Sequence, residues 1–323
     1  MCSIKEQASA TLGKHRTRVT GRMLTIVVLF LCSSLLLPSL ALGNEVDDGH
    51  VYKDEILKVG FIETAFEGVS VKDKEAAFKV LANTIGQTYG YNIDVEFTYF
   101  ADAAEFDELS KKVQPDVVIF ESWTWLDLTD TEWLAPVFVS SDRGNVANRY
   151  LLVTNEKSNV ESLHDVQGGS INIYFGTNSE LGLNWLKHLA CSQTGKQIEQ
   201  IFANIGQSGD PMETILPVFF GKTDVAVIPE PKFELMSELN PQLNRLKKVA
   251  VSEPLVSGVT CLKKEGWPSE TFHQHVFEAL RDLHLSPAGK QILTLFKMDQ
   301  EELFKPEYLD SVRRLKNSFS CGS

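Results

Sequence analysis

Cationic side chains are scarce in this sequence: 31 Lys and Arg face 43 Asp and Glu, a formal charge of -12 at pH 7. A surface of that sign repels a polyphosphate backbone, so nucleic acid is excluded as a partner class. A small anion is not excluded, because a cluster of main-chain amides can hold one inside an acidic protein. Cysteine is sparse too, with 5 in 323 residues, too few for a disulfide-built scaffold. Cys191, Cys261 and Cys321 stand far apart, without the paired spacing of a structural zinc site. No internal repeat and no low-complexity tract occurs, which removes solenoids, collagen-like chains and disorder.

Long apolar runs are also lacking. The most extended, Met23 to Leu37, has a core from Leu24 to Leu31 and is then diluted by Cys32-Ser33-Ser34. A membrane-spanning helix needs roughly 20 apolar residues. Lys14, Arg16, Arg18 and Arg22 precede the run, and Pro38 with Ala41-Leu42-Gly43 follows it. That order reads as a secretory signal over residues 1–43, cut before Asn44. Leu31 stands before Cys32 where lipoproteins carry a small residue, so no lipid anchor is expected. Removing residues 1–43 takes away a net +4 and leaves -16. Three cysteines then remain in an oxidising compartment, enough for one bridge and one thiol, with the pair left open.

What is present is an alternation of short apolar runs with longer amphipathic stretches, the pattern of an α/β protein. Ile56 to Ile62 predicts a strand, and Ser70-Val71-Lys72-Asp73 a capped helix start continuing through Ala77, Val80, Leu81 and Ile85. Asn92 to Phe100 alternates as a strand, Ala103 to Val113 is amphipathic, and Val117 to Phe120 is a buried parallel strand. Val137 to Val139 and Tyr150 to Val153 follow as strands. The grammar then restarts: a strand at Ile171 to Phe175, a helix from Glu180 to about Cys191, a loop near Gly206 to Asp210, a helix at Met212 to Phe220 and a strand at Val225 to Ile228. Leu246 to Val251 and Gly258 to Leu262 are extended. Thr271 to Leu283 is helical, and Ser286-Pro287 opens a further helix with a cap and a first-turn proline. Two α/β units joined by two extended crossings predict one cleft between two lobes.

Catalytic patterns are absent or broken. Gly221-Lys222-Thr223 mimics the end of a phosphate-binding loop, but Leu216 occupies the first glycine position and the order is helix to strand. His273 and His275 lie about 200° apart around a helix and cannot share a metal. Lys247-Lys248 and Arg313-Arg314 read as solvated faces. Cys191 and Cys261 are the thiols nearest the cleft in chain order, with no base placed to activate them. No enzyme activity, cofactor or metal is expected.

Binding patterns are better formed. Tyr174 to Gly182 places Thr177, Asn178 and Ser179 at a strand-to-helix turn, where free amides and the helix dipole favour an oxyanion. The same side chains could instead cap their own helix, and Glu180 competes for the same amides. Glu121-Ser122-Trp123-Thr124-Trp125 lies at the carboxyl end of the third strand, the edge where open α/β sheets hold ligands. Trp123 and Trp125 either wall the cleft or pack on the lobe. With Trp133 they could form a cage for a quaternary ammonium, as betaine-binding proteins do. Phe61, Glu63 and Thr64 follow the first strand and are weaker candidates.

The turn at Thr177 to Ser179, the run Phe220 to Val227, Val251-Ser252-Glu253-Pro254-Leu255, and Leu285 to Leu293 occur in an order that resembles the phosphate/phosphonate family of ABC-transporter substrate-binding proteins. The likeness covers most of residues 55 to 310. Asn178 stands where a hydroxyl is commoner, and Val256 where proline is common. The resemblance implies a two-lobed periplasmic-binding-protein fold of type II with two hinge crossings. Lobe one would be residues 55–152 plus 253–323, and lobe two residues 153–252. It implies a periplasmic, monomeric protein capturing a phosphonate, phosphite or phosphate for a permease. The family's anion-holding helix start falls on Thr177, Asn178 and Ser179, and Glu230 is the carboxylate nearest the position that holds an amine. Ser122 and Trp123 would join the anion side, and Glu121 with Glu230 would read a cationic or hydrogen-donating end. The alternatives are a ligand sensor docking on a membrane signalling receptor and the tryptophan-cage binder.

Overall fold

Strand formation follows burial. Val117–Glu121 is an apolar run with both faces covered, and Tyr150–Thr154 is buried at every residue. The computed structural model describes residues 51–62, 70–176, 179–296 and 298–318. In chain order the first part is β1 (Lys53–Ile62), α1 (Val71–Thr88), β2 (Tyr91–Phe100), α2 (Ala103–Val113), β3 (Val117–Glu121), α3 (Ser122–Trp125), β4 (Leu134–Ser141) and β5 (Ala147–Asn148). Next come β6 (Tyr150–Thr154), β7 (Gly169–Tyr174), α4 (Ser179–Thr194), α5 (Ile198–Ile201), β8 (Phe202–Ser208), α6 (Pro211–Phe219), β9 (Val225–Pro229), α7 (Glu230–Leu239) and β10 (Lys247–Val251). The chain closes with β11 (Leu255–Val256), β12 (Gly258–Lys263), α8 (Glu270–Arg281), α9 (Pro287–Leu295), β13 (Gln300–Leu303) and α10 (Asp310–Asn317).

All of these strands but β5 and β11, which pair with each other, form two sheets. The first has the order β13-β4-β12-β3-β1-β2 and the second β10-β6-β9-β7-β8. In each, the βαβ units run parallel, β1 with β2 and β3, and β7 with β8 and β9. The strands that lead to and from the crossings are antiparallel additions: β12 on β3 and β4, β6 on β9, and β10 on β6. The two crossings pair with each other, Leu255 opposite Asn148 and Val256 opposite Ala147. That short ladder is the covalent and hydrogen-bonded joint between the sheets.

Helices cover both faces of each sheet. Phe61, Phe78, Phe272 and Phe296 fill the core under α1, α8 and α9, while Phe100, Phe106 and Phe120 fill the opposite one. Full burial of such a ring stabilises the fold by roughly 1.5–3 kcal/mol. In the second sheet, Leu181, Trp185 and Leu186 of α4 cover one face, and Ile215 and Phe233 of α6 and α7 the other. The expected caps are present: Ser70 Oγ accepts from Asp73 N at 3.2 Å, and Ser286 Oγ from Gly289 N at 2.9 Å.

Several expectations are corrected. The stretch Gly206 to Ser208, expected as loop, belongs to β8, an edge strand paired only with β7. His273 and His275, on opposite sides of α8, stack on Trp267 and on Tyr89, and His275 Nδ1 lies 3.2 Å from the Tyr91 hydroxyl. The terminal helix α10 buries Val312 and Leu315 in the core of the second sheet, while Leu309 just before it is buried in a core of the first. Cys261 is a buried free thiol, raised in pKa by that burial, and Cys191 is disulfide-bonded. Among the described residues no helix is long and apolar enough to cross a membrane, and no group of three or more His, Cys, Asp or Glu could hold a metal ion. Residues 1–43, the expected signal, lie outside the described residues, as do Glu63 and Thr64.

Candidate functional site

The edge where β3, β7 and β9 end is the edge the crossings join, so the carboxyl ends of the parallel strands of both sheets face it. β3 delivers Glu121 to that edge with only 1% of its surface exposed. Ser122 follows, fully buried. Its amide donates to Ser257 O at 2.8 Å and its hydroxyl to Val256 O at 2.5 Å. The expectation that Ser122 presents its hydroxyl to an anion is therefore corrected: its proton holds the second crossing against β3.

Thr124 reaches from α3 to the other sheet, its Oγ1 donating to Glu180 Oε2 at 3.3 Å. Glu180 is in the first turn of α4, so the carboxylate that could have blocked that helix start is turned toward α3. Thr177 and Asn178 lie outside the described residues, and so does the side chain of Ser179, the residue that opens α4. The turn before them needs its glycine, because a Cβ on Gly176 would stand 2.5 Å from the Tyr174 hydroxyl.

Tyr150 ties this region together. A Cβ on Gly182 would lie 2.8 Å from its ring, so the first turns of α4 rest directly on it. Its phenol shares a side-chain hydrogen bond with Ser257, while burial first, and the negative charge of Glu121 second, push its pKa far above the usual range. It stays a neutral hydrogen-bonding group. Beside it opens a pocket walled by both sheets and both crossings, with about 550 Å³ of atom-free space, solvent at the mouth included. Its polar lining includes Ser140, Asn148, Ser257 and two opposite charges, Asp142 and Lys232, and Phe296 with Met298 are among its apolar residues.

None of the residues lining this pocket was singled out from the sequence, Tyr150 and Lys232 among them. Tyr150 was legible only as the start of a strand. Lys232 is the third residue after β9, and the Pro229-Glu230-Pro231-Lys232 run at a strand's carboxyl end was its available signal.

Glu230 is engaged by a cation of its own sheet. Lys248 on β10 holds it at 2.8 Å, and its amide donates to Arg149 O. The tryptophans do not converge. Trp123 packs against the core of the second sheet with Lys316 Nζ 4.4 Å above its ring. Trp125 packs on Phe120, centroids 5.5 Å apart, and Trp133 stacks on Phe106 at 6.1 Å. The quaternary-ammonium cage is overturned, because two of its three rings complete the core of the first sheet.

Among solved structures, a Xanthomonas citri protein bound to chloride ion matches with a TM-score of 0.58 at 14% identity, covering 81% of this chain and 96% of that one. PhnD1 from Prochlorococcus marinus in complex with methylphosphonate matches with a TM-score of 0.55 at 16% identity, covering 81% and 97%. A binding protein component of an ABC phosphonate transporter from Pseudomonas aeruginosa matches at 0.53 and 15%, covering 81% and 85%. At such identities the likeness is one of fold, the two-lobed type II fold of periplasmic binding proteins. No curated protein sequence matches the chain. The profile of the family described as "ABC transporter, phosphonate, periplasmic substrate-binding protein" matches residues 69–307, well over half of the sequence. This is a family of binding proteins rather than of enzymes, and the chain belongs to it.

Proposed function

We propose that this protein captures a small oxyanion, a phosphonate, phosphite or phosphate, in the groove beside Tyr150 and hands it to an ABC permease. One observation carries the reading: the Thr124–Glu180 hydrogen bond brings the first turn of α4 against the residues that follow β3, so a helix start of one sheet faces a strand end of the other. Main-chain amides at residues 177–179 would hold the oxyanion, with Lys232 supplying the nearest cation along the pocket wall. Glu121, buried beside Tyr150, would accept a hydrogen bond from a protonated ligand oxygen or an amine. Because both sheets contribute groups, ligand binding favours the closed arrangement, the form a permease can recognise. Residues 1–43 are read as an export signal that takes the protein to the periplasm.

Titration calorimetry with phosphate, phosphite, methylphosphonate and aminoethylphosphonate tests the ligand class. At least one should bind, and its affinity should fall on Lys232→Met. Silence from all four rejects the ligand class and leaves the fold untouched.

A further inference from the structure

α3 is carried by the first sheet, directly at the end of β3, and packs on both cores: Trp125 rests on Phe120 of the first sheet. Trp123 and Leu126 pack against the core that α4 covers, and Thr124 bonds Glu180 of that helix. α10 runs from Leu309, buried in a core of the first sheet, to Val312 and Leu315, sunk in the core that α4 covers, and Ser318 Oγ after its end lies 3.1 Å from His188 Nδ1 of α4. It is also tied to the second crossing: Ser311 Oγ donates to Pro254 O at 2.6 Å, and Arg314 Nη2 lies 2.6 Å from Glu253 Oε2. From this anchored helix Lys316 reaches back to the first sheet's side, its ammonium over the Trp123 ring and paired with Asp127.

The geometry points to α10 as a strap across the two lobes, with Lys316 as the positioning residue that holds α3 against α4. Rotation about the paired crossings moves α3 with the first sheet, while Lys316 moves with the second. Its contacts to Trp123 and Asp127 therefore exist only while the two lobes stand as they do here, and opening breaks them. A cation over an indole with a carboxylate beside it shifts such an equilibrium by roughly two- to tenfold. Lys316 touches none of the groups that the function proposed above gives to the ligand, residues 177–179, Lys232 and Glu121. It acts by fixing how much of the unliganded protein is already arranged to bind, and only this effect on affinity rests on the ligand reading above.

Small-angle scattering of the unliganded protein tests the strap without any ligand. Lys316→Met keeps the aliphatic stem and removes the charge, so it should enlarge the radius of gyration, while Lys316→Arg should restore the parent value. Circular dichroism and a melting curve check that both variants are folded. In calorimetry with methylphosphonate, Lys316→Met should weaken binding by about the factor lost in the closed fraction, roughly two- to tenfold. A radius of gyration unchanged in Lys316→Met, or enlarged equally in Lys316→Arg, overturns the strap. Failure of the parent protein to bind methylphosphonate counts against the ligand and leaves the scattering result standing.

Discussion

Glu301 is a buried carboxylate with an incomplete set of partners. It stands opposite Ser140 in the first sheet, 8% exposed, and accepts from Thr260 Oγ1 at 3.3 Å. Its Oε2 is buried with no hydrogen-bond partner among the described residues. Burial pushes its pKa from 4.5 up to about 7, the Thr260 bond opposing that shift only in part. A folded-state value above the unfolded one means that the folded state binds the proton more tightly. The associated stability is fully present below pH 4.5 and is lost as pH rises through 7. Glu301→Gln removes the charge at every pH, so it should stabilise the protein by about 1–3 kcal/mol at pH 8 and by little at pH 4.5. Melting temperatures of both proteins at the two pH values check this, and a gap that does not widen toward pH 8 contradicts it. Nothing in a Gln-Glu-Glu-Leu string marks its first glutamate as buried; only the pairing of β13 with β4 does. The fate of Trp123 was hidden for a like reason, since a helix 193 residues further on supplies its cation.

Whole elements were more legible than their contacts. The βαβ units were readable because their central strands are apolar runs between capped amphipathic helices, as with Val117–Glu121 after α2. β8 and β13 were not, because an edge strand needs little apolar character: Phe202–Ser208 is largely exposed and contains Asn, Gly and Gln. The start of α9 was readable from Ser286-Pro287, but the reason for Gly289 three residues after the cap was not. A Cβ there would lie 2.0 Å from Leu283 O and 2.8 Å from Ser286 Oγ, so the helix can dock on the preceding turn only with glycine at that place. Gly289→Ala must therefore push α9 off the 283–285 turn, at about 2–4 kcal/mol, or roughly 5–15 °C in Tm. A thermal melt checks it, with the exposed Gln291→Ala as a near-neutral control on the same helix. A parent-like Tm for Gly289→Ala would mean that the turn gives way without loss.

At the scale of the molecule, an acidic protein is proposed to collect an anion, and the two charges act over different ranges. The full sequence carries -12, and the part after residue 43 carries -16. That field reaches about 30 Å into solvent at 0.01 M salt but about 10 Å at 0.1 M, so it opposes the approach of an anion and is readily screened. In the proposed site Lys232 and the start of α4 would instead act on the bound anion at hydrogen-bond range, where screening is weak. The approach and the hold should thus respond differently to salt. Between 10 and 300 mM NaCl the association rate of methylphosphonate should rise by roughly two- to fivefold, while the dissociation rate changes little. Stopped-flow monitoring of the protein's tryptophan fluorescence measures both rates, because Trp123 lies on the α3 segment that meets α4. An association rate that falls with salt would show instead that the groove presents a positive field to the solvent, strong enough to outweigh the acidic surface around it.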